Sequence, residues 1–212
     1  TEMYIYNDDG SAIFNFNEDI ARKIWDNYYI PYLKGHFVKT GRFSSDDAKT
    51  GTILAYTGST AGATYFPTEV TFSQEEVVAI DVLALPYPYF EEGNPYVIQQ
   101  GAGMCITQSD LSHEYAAAEF LKWFTSSEQN LKFAVTTGYL PVKNEALNES
   151  TMLNAMEDTG TNNDAIQSSI ITTISMFENY ELYNSKPFNG SYELRELLES
   201  NLINKINRDL SY

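Results

Sequence analysis

The chain contains one cysteine, Cys105, and this feature most constrains how it can fold. A single thiol cannot form an internal disulfide or a structural zinc site, so neither holds the fold together. Stability must then come from a buried apolar core, for which 43% of the 212 residues are apolar. This amount of apolar material is sufficient for one large or two small globular domains.

The net charge of the chain is −16, from 29 acidic side chains against 13 Lys and Arg. Nucleic acids and anionic membrane surfaces are bound through clustered Lys and Arg, which this sequence does not have. We therefore predict no nucleic-acid partner. The longest apolar runs, such as Val77 to Leu85, are strand-sized and far below the roughly 20 residues of a membrane-spanning helix. The first residues do not have the pattern of a signal peptide, so we expect any export signal to lie upstream.

Aromatic residues are frequent, with 16 Tyr, 12 Phe and 2 Trp. A tyrosine combines a rigid apolar face with a hydroxyl group, which suits stacking on and hydrogen bonding to polar ligands such as sugars. Ordinary packing in the core or on the surface remains the alternative for each of these side chains.

Turn and cap residues divide the chain into short strands and helices. Apolar runs predict strands at Ile53–Tyr56 and Val77–Leu85 and within Tyr96–Thr107. Cap signals and helical spacing predict these helices: one from Glu18 that Pro31 kinks or ends, Asp46–Lys49, one from Ser112, one with a capping box at Ser126 and Gln129 that Gly138 ends, Met152–Met156, Ala165–Tyr180, and one from Ser191.

Residues for catalysis or metal binding are not arranged in any familiar pattern. His36 and His113 are far apart in sequence, and no nucleophile motif accompanies them. Cys105 lies in an apolar stretch, which predicts an inert buried thiol. We therefore predict no catalytic residue, metal or cofactor. Three acidic pairs are expected to be solvated or to lie in first helical turns: Asp8–Asp9, Asp46–Asp47 and Glu91–Glu92.

One block of the sequence, from Ile80 to Val142, has an ordered set of features. An apolar strand ends at Leu85-Pro86, and Gln99-Gln100-Gly101-Ala102-Gly103 leads into a second strand. A helix containing the run from Ala116 to Phe124 follows, then Ser127-Glu128-Gln129, and the block closes with Thr137-Gly138-Tyr139-Leu140-Pro141-Val142. This order resembles the extracellular solute-binding proteins of ABC importers, in particular the family that binds sugars and glycerol phosphates. The resemblance covers most of Phe14 to Val142.

The resemblance implies an α/β, periplasmic-binding-protein-like fold of type II, with two lobes joined by a hinge. It also implies that only part of this fold is present, because the family's first half has no counterpart here. Residues 1–76 would form an α/β segment of the second lobe, 77–140 a segment of the first lobe, and 141–212 helices that close the second lobe. The N-terminal half of the family's fold would then either be absent altogether or lie in a second chain.

The expected ligand site lies beyond the carboxyl ends of strands, as in other open α/β sheets. Tyr56, Thr57, Gly58, Ser59 and Thr60 follow the first predicted strand and offer hydroxyls and backbone N–H groups, although an ordinary strand-to-helix turn is equally compatible. By the resemblance, Gln99, Gln100, Gly101 and Ala102 face the cleft from the other lobe, where amides suit paired sugar hydroxyls; the polar face of an edge strand is the alternative. Tyr139 matches a family position near the lobe junction, which packing between lobes also explains.

These features predict a non-enzymatic protein that captures a small polar solute outside the cell and delivers it to an ABC permease. A mono- or oligosaccharide is the expected solute, because few Lys or Arg lie near the predicted loops. A cell-surface lipoprotein or a periplasmic protein is the expected localisation. A secreted carbohydrate-active enzyme, its sugar-binding module, or a protein-interaction module remains an alternative.

Overall fold

The computed structural model describes residues 4–211, and the chain divides into two compact units. The first unit contains residues 4–40 and 185–211, and the second contains residues 41–184. In chain order the elements are β1 (Tyr4–Tyr6), β2 (Ala12–Phe14), α1 (Glu18–Ile24), a π-helical turn (Trp25–Tyr29), α2 (Ile30–Leu33), α3 (Ser44–Lys49), a 3₁₀ helix (Thr60–Tyr65), β3 (Glu69–Thr71), β4 (Val77–Ala79), β5 (Tyr96–Ile98), α4 (Leu111–Phe124), α5 (Ser127–Thr137), a 3₁₀ turn (Asn144–Ala146), α6 (Glu149–Thr159), α7 (Asp164–Asn179), β6 (Glu181–Tyr183) and α8 (Ser191–Leu210).

In the first unit, helix α1 begins where its sequence predicts. The side-chain oxygen of Asn17 accepts a hydrogen bond from the backbone N–H of Ile20 at 3.0 Å, which satisfies one free donor of the first turn. Pro31 does not end the helix at once. The helix first widens into the π-helical turn and then continues through α2 to Leu33. A wider turn is a common way for a helix to accommodate a disturbed hydrogen-bond ladder.

A buried tyrosine connects the π-helical turn to α8 within the first unit. Tyr29 is 4% exposed, and its ring stacks on Trp25 at a centroid distance of 3.7 Å. Its hydroxyl donates to the carboxylate of Asp209, and Lys205 Nζ donates to the same hydroxyl at 3.3 Å. Lys205 and Tyr29 both hydrogen bond to the Asp209 carboxylate and lower its pKa, with Lys205 making the larger contribution.

The core of the second unit lies among helices α5, α6 and α7. Its buried members are Val135, Met152, Ala155, Met156, Ile166 and Ile170. Ala63 of the 3₁₀ helix and Leu140 of the turn after α5 pack against this cluster. The helices agree with the sequence prediction in type and position, and Gly138 ends α5 in the left-handed conformation with φ of +75°.

The described strands form three separate two-stranded sheets. Strands β1 and β2 pair antiparallel, as do β3 and β4, whereas β5 and β6 pair parallel with Tyr96 opposite Glu181. The chain is therefore mixed α/β, which agrees with the predicted class and with part of a solute-binding protein domain.

The predicted strands are longer than the observed ones: within Tyr96–Thr107 only Tyr96–Ile98 pairs, and the strand expected after Gly103 is wrong because residues 104–107 have no strand partner. The prediction for Ile53–Tyr56 is wrong: this segment is irregular, and Leu54 is 97% exposed. Only the first three residues of Val77–Leu85 pair as a strand. The N–H of Ile80 adds one more bond, to the carbonyl of Thr68 at 2.9 Å. Beyond Ile80 the segment has no strand partner and is fixed to α7 instead, because the N–H of Ala84 donates to Ser168 Oγ at 2.8 Å. Apolar character favours extended backbone, but a strand also requires a partner that local sequence does not specify.

Helix α4 carries an apolar stripe that includes Ala116, Phe120 and Trp123, but this stripe is not buried. No residue of α4 is buried among the residues that the structure describes. Leu111 is 86% exposed, and Phe120 and Trp123 are each 53% exposed. Apolar stripes of this kind normally face a core, so this helix presents a large uncovered apolar face.

Candidate functional site

The loop from Tyr56 to Thr60 is exposed in its middle and anchored at both ends. The Tyr56 ring stacks on Phe66 at 5.3 Å with an interplanar angle of 19°, and burial raises the pKa of its hydroxyl. At the other end, Ser59 Oγ accepts the N–H of Ala61 at 3.3 Å and begins the 3₁₀ helix that packs on α7. Thr57, Gly58 and Ser59 between these anchors are exposed. The loop therefore exposes hydroxyl and backbone groups, while both of its ends are held in place.

The turn that ends α5 touches this loop. A Cβ atom at Gly138 would lie 2.6 Å from the carbonyl oxygen of Thr60 and 3.2 Å from Cα of Ala61, so the two backbones are in direct contact. Tyr139, the next residue, is 43% exposed, and its ring lies 5.9 Å from Phe133. The structure thus brings the Thr60 end of the predicted loop and the Tyr139 turn together, although they are far apart in sequence.

A buried asparagine fixes the same turn, and sequence analysis did not identify it as a site residue. Asn130 is 4% exposed, and its Oδ1 accepts the N–H of Val142 at 2.7 Å. No sequence signal marks this pair, because the contact crosses a helix and a turn. Ser126, predicted to cap the same helix, is at the N-cap position but makes no side-chain cap bond. Its hydroxyl donates to the carbonyl of Trp123 at 2.6 Å instead.

The amide stretch from Gln99 to Ala102 is anchored separately, on strand β6. The backbone N–H of Gln99 donates to the carbonyl of Tyr183 at 2.8 Å and extends the parallel pairing by one bond. Gln99, Gln100, Gly101 and Ala102 are all exposed. Their side chains are therefore free to meet a solute, but they do not belong to the Thr60–Gly138 contact.

Cys105 differs from its predicted environment, whereas Asp47 agrees with its predicted position but is more deeply buried than expected. Cys105 is exposed, so the prediction of a buried thiol is wrong; the apolar segment around it has no strand partner to cover it. Asp47 was expected to be solvated or to lie in a first helical turn. It lies in that turn but is 2% exposed, and its Oδ1 accepts the N–H of Gly41 at 3.0 Å. Its role is therefore to order the loop before α3.

Groups for metal chemistry are not assembled in the described part of the chain. Among residues 4–211, no group of three or more His, Cys, Asp or Glu side chains could hold a metal ion. Asp9, in the run from Asn7 to Gly10, uses Oδ1 to accept both the N–H and the hydroxyl of Ser11. These hydrogen bonds lower its pKa, with the hydroxyl contributing more than the N–H.

A surface depression between α6 and α7 lies apart from the predicted site residues. Its volume is about 310 Å³. It is lined by Leu153, Asn154, Met156, Glu157, Thr161 and Gln167.

A comparison with protein-family models assigns the chain to a family. The model of the family described as bacterial extracellular solute-binding protein matches residues 3–160. The chain therefore belongs to the bacterial extracellular solute-binding protein family. Searches of curated proteins and of solved structures each returned no match.

The family assignment settles the broad function. Its members are the non-enzymatic solute-binding components of ABC importers, which act outside the cell, so a solute and an ABC permease are the partners that the family implies. The prediction that the chain is not an enzyme is thereby confirmed, and the carbohydrate-active enzyme is excluded as an alternative. Within residues 4–211, no helix has the length and apolar character needed to cross the bilayer.

Proposed function

We propose that this chain contributes to the capture of a small uncharged polar solute, a mono- or oligosaccharide, for an ABC permease. The observation that carries the proposal is the contact between Thr60 and Gly138, which joins an exposed hydroxyl-bearing loop to the exposed ring of Tyr139. Hydroxyls and amides bind sugar hydroxyls as both donors and acceptors, and an aromatic ring covers the apolar face of a sugar.

The stretch from Gln99 to Ala102 supplies a second set of contacts in this proposal. Its two amide side chains are exposed and uncharged, and no charged residue occurs from Asn94 to Ser109. A neutral, hydrogen-bonding surface suits a sugar better than a phosphate or a carboxylate, which would require Lys, Arg or a cluster of backbone donors.

The exposed apolar surface supports a further part of the proposal, that another segment of polypeptide completes the fold. Leu83 and Leu85 are 75% and 72% exposed on the unpaired continuation of β4, and the face of α4 is uncovered. In addition, β5 and β6 form a parallel pair of only two strands, whereas parallel sheets are normally larger and covered on both faces. An N-terminal half or a second chain of a solute-binding protein would cover these groups.

The lobe assignment that follows is also a proposal. Residues 77–140 would belong to the first lobe, and residues 1–76 and 141–212 to the second. The outermost residues of these ranges, 1–3 and 212, lie outside the described residues. Attachment to the membrane as a lipoprotein, or free location in the periplasm, is a proposal of the same kind.

Isothermal titration calorimetry tests the sugar proposal. The chain, and the chain co-expressed with the polypeptide encoded directly upstream, would be titrated with maltotriose, cellobiose, raffinose, galactose and xylobiose. We expect at least one sugar to bind with micromolar or lower Kd and to be recovered chemically unchanged after long incubation. Absence of binding by every sugar, together with binding of an amino acid or peptide, would contradict it.

Thiol reactivity tests the proposed covering of the apolar surface. Cys105 is exposed and lies between β5 and α4, two of the elements proposed to be covered, so it should react readily with a thiol reagent in the chain alone. In the co-expressed complex we expect its reaction rate to fall at least ten-fold. An unchanged rate in a stable complex would show that this segment is not the covered surface.

A further inference from the structure

We infer that Asn130 is a positioning residue for the solute site, acting on Tyr139 through the backbone of Val142. The inference rests on the proposed function for the meaning of the site, but its geometry is independent of any ligand. Asn130 lies on α5 and is itself only 4% exposed, so its effect on a solute must be indirect.

The turn after α5 is fixed at three points around Tyr139. Gly138, in the left-handed conformation, contacts the carbonyl of Thr60 on one side of Tyr139. Leu140 packs against the apolar core immediately after it. Val142 then donates its N–H to Asn130 Oδ1 at 2.7 Å. Tyr139 is therefore an exposed residue in a tightly held turn.

The bond to Asn130 is the polar member of these three contacts. Asn130 lies near the start of α5, and Gly138 lies just beyond its end. The chain therefore folds back along α5 after Gly138, and the bond joins Val142 to the first part of that helix. Val142 is 64% exposed, so without an acceptor at position 130 its N–H would hydrogen bond to water instead. The turn would then lose its polar anchor, and Tyr139 would move relative to Thr60.

The acceptor oxygen is the part of Asn130 that this role requires. Asp is isosteric with Asn and keeps an oxygen at the same place, and a carboxylate near the start of a helix is electrostatically favourable. Asp should therefore preserve the turn, whereas Ala should release it. If Asn130 only filled space, Asn130→Asp should disturb the turn more than Asn130→Ala, because burial of a charge costs more than loss of a few atoms.

Double electron–electron resonance measures the position of the turn without any ligand. Spin labels would be attached at Thr57 and Tyr139 in a Cys105→Ser background, and the Thr57–Tyr139 distance distribution compared among variants. We expect a single narrow distribution in the background chain and in Asn130→Asp. In Asn130→Ala we expect a distribution at least twice as wide.

A stability-matched control separates positioning from general loosening. Ile166→Val removes one buried methylene from the core that Leu140 also contacts, but leaves the Asn130–Val142 bond in place. We expect its distance distribution to stay narrow even where its unfolding midpoint falls. Equal broadening in Ile166→Val and Asn130→Ala, or an unchanged distribution in Asn130→Ala, would overturn the inference.

Calorimetry with an unlabelled set of variants connects this geometry to the solute. With any sugar of the five-sugar panel that binds, Asn130→Ala should weaken binding at least five-fold, and Asn130→Asp should restore most of it. If the distance distribution is narrow in the background chain and in Asn130→Asp and broad in Asn130→Ala, but no variant binds a sugar, the positioning role is supported. Only the sugar proposal is then contradicted. Undiminished sugar binding in Asn130→Ala would overturn the positioning role.

Discussion

The carboxylate of Asp47 holds the backbone N–H of Gly41 at 3.0 Å, and this carboxylate is almost completely buried. A buried charged acceptor with a fixed donor is expensive to disturb, because removal of one partner leaves the other without a hydrogen bond. The loop before α3 therefore depends on Asp47 for its order.

Asp47→Ala should lower the free energy of unfolding by about 1–3 kcal/mol, the usual cost of an unsatisfied buried group. Asp47→Asn should lose less, because its amide oxygen still accepts a hydrogen bond. Urea unfolding followed by circular dichroism measures both. The exposed Glu92 provides the control, since Glu92→Ala should change stability little; equal losses in Asp47→Ala and Glu92→Ala would contradict the burial of Asp47.

Gly138→Ala should destabilise the chain by at least about 1 kcal/mol more than Gly160→Ala. Both glycines end helices with positive φ, of +75° and +66°, so both substitutions place an alanine in the left-handed region. Only at Gly138 would the new Cβ lie 2.6 Å from the carbonyl of Thr60, whereas nothing lies within 4 Å of it at Gly160. Chemical denaturation of the two variants isolates the contact, and equal losses would show that it does not constrain the turn.

The contribution of Asp209 to stability should disappear in acid. Hydrogen bonds from Lys205 and Tyr29 lower the pKa of Asp209 in the folded chain, so the folded state favours the carboxylate more than the unfolded state does. Stability from this group is present above its ordinary pKa of about 4 and is lost as pH falls through the lower folded value. The difference in Tm between the native chain and Asp209→Asn should therefore be largest above about pH 5 and shrink below about pH 4. A difference that is independent of pH would contradict this linkage.

Gln100→Ala should weaken binding of a captured sugar by on the order of 1 kcal/mol, the usual loss when a buried hydrogen bond is left unmade. The amide is exposed in the structure and becomes buried only when a solute covers it. Isothermal titration calorimetry with the tightest-binding sugar measures the change. Glu91→Ala removes an exposed loop carboxylate and should leave affinity unchanged; a larger effect of Glu91→Ala than of Gln100→Ala would contradict the proposed site.

The helices could be predicted because their signals are local. The side chain of Asn17 caps a helix three residues away, and Gly138 ends one by its own conformation. The strands could not be predicted as reliably, since Tyr96 pairs with Glu181 from the other end of the unit, and Ile53 has apolar neighbours but no partner strand. Strand pairing depends on distant chain, which local composition does not encode.

The same distinction applies to the candidate site. Thr60 was predicted from the residues around it and Tyr139 from the family resemblance, which placed the two in different segments. Their proximity depends on the missing Cβ of Gly138 and on the acceptor of Asn130, neither of which is visible until the helices are packed together. The sequence therefore offered both residues as candidates, but it did not predict the contact between them.

The parallel pairing of β5 and β6 also governs the order in which the second unit can fold. Near this pair, the hydroxyl of Tyr180 donates to the carbonyl of Tyr87, 93 positions away in sequence. Closing a loop of that length costs chain entropy before any contact repays it, whereas α5, α6 and α7 are near neighbours in sequence. The helical core should consequently form first, and the strands that carry Gln99 should join last, so the two parts of the proposed solute surface would be completed at different stages of folding.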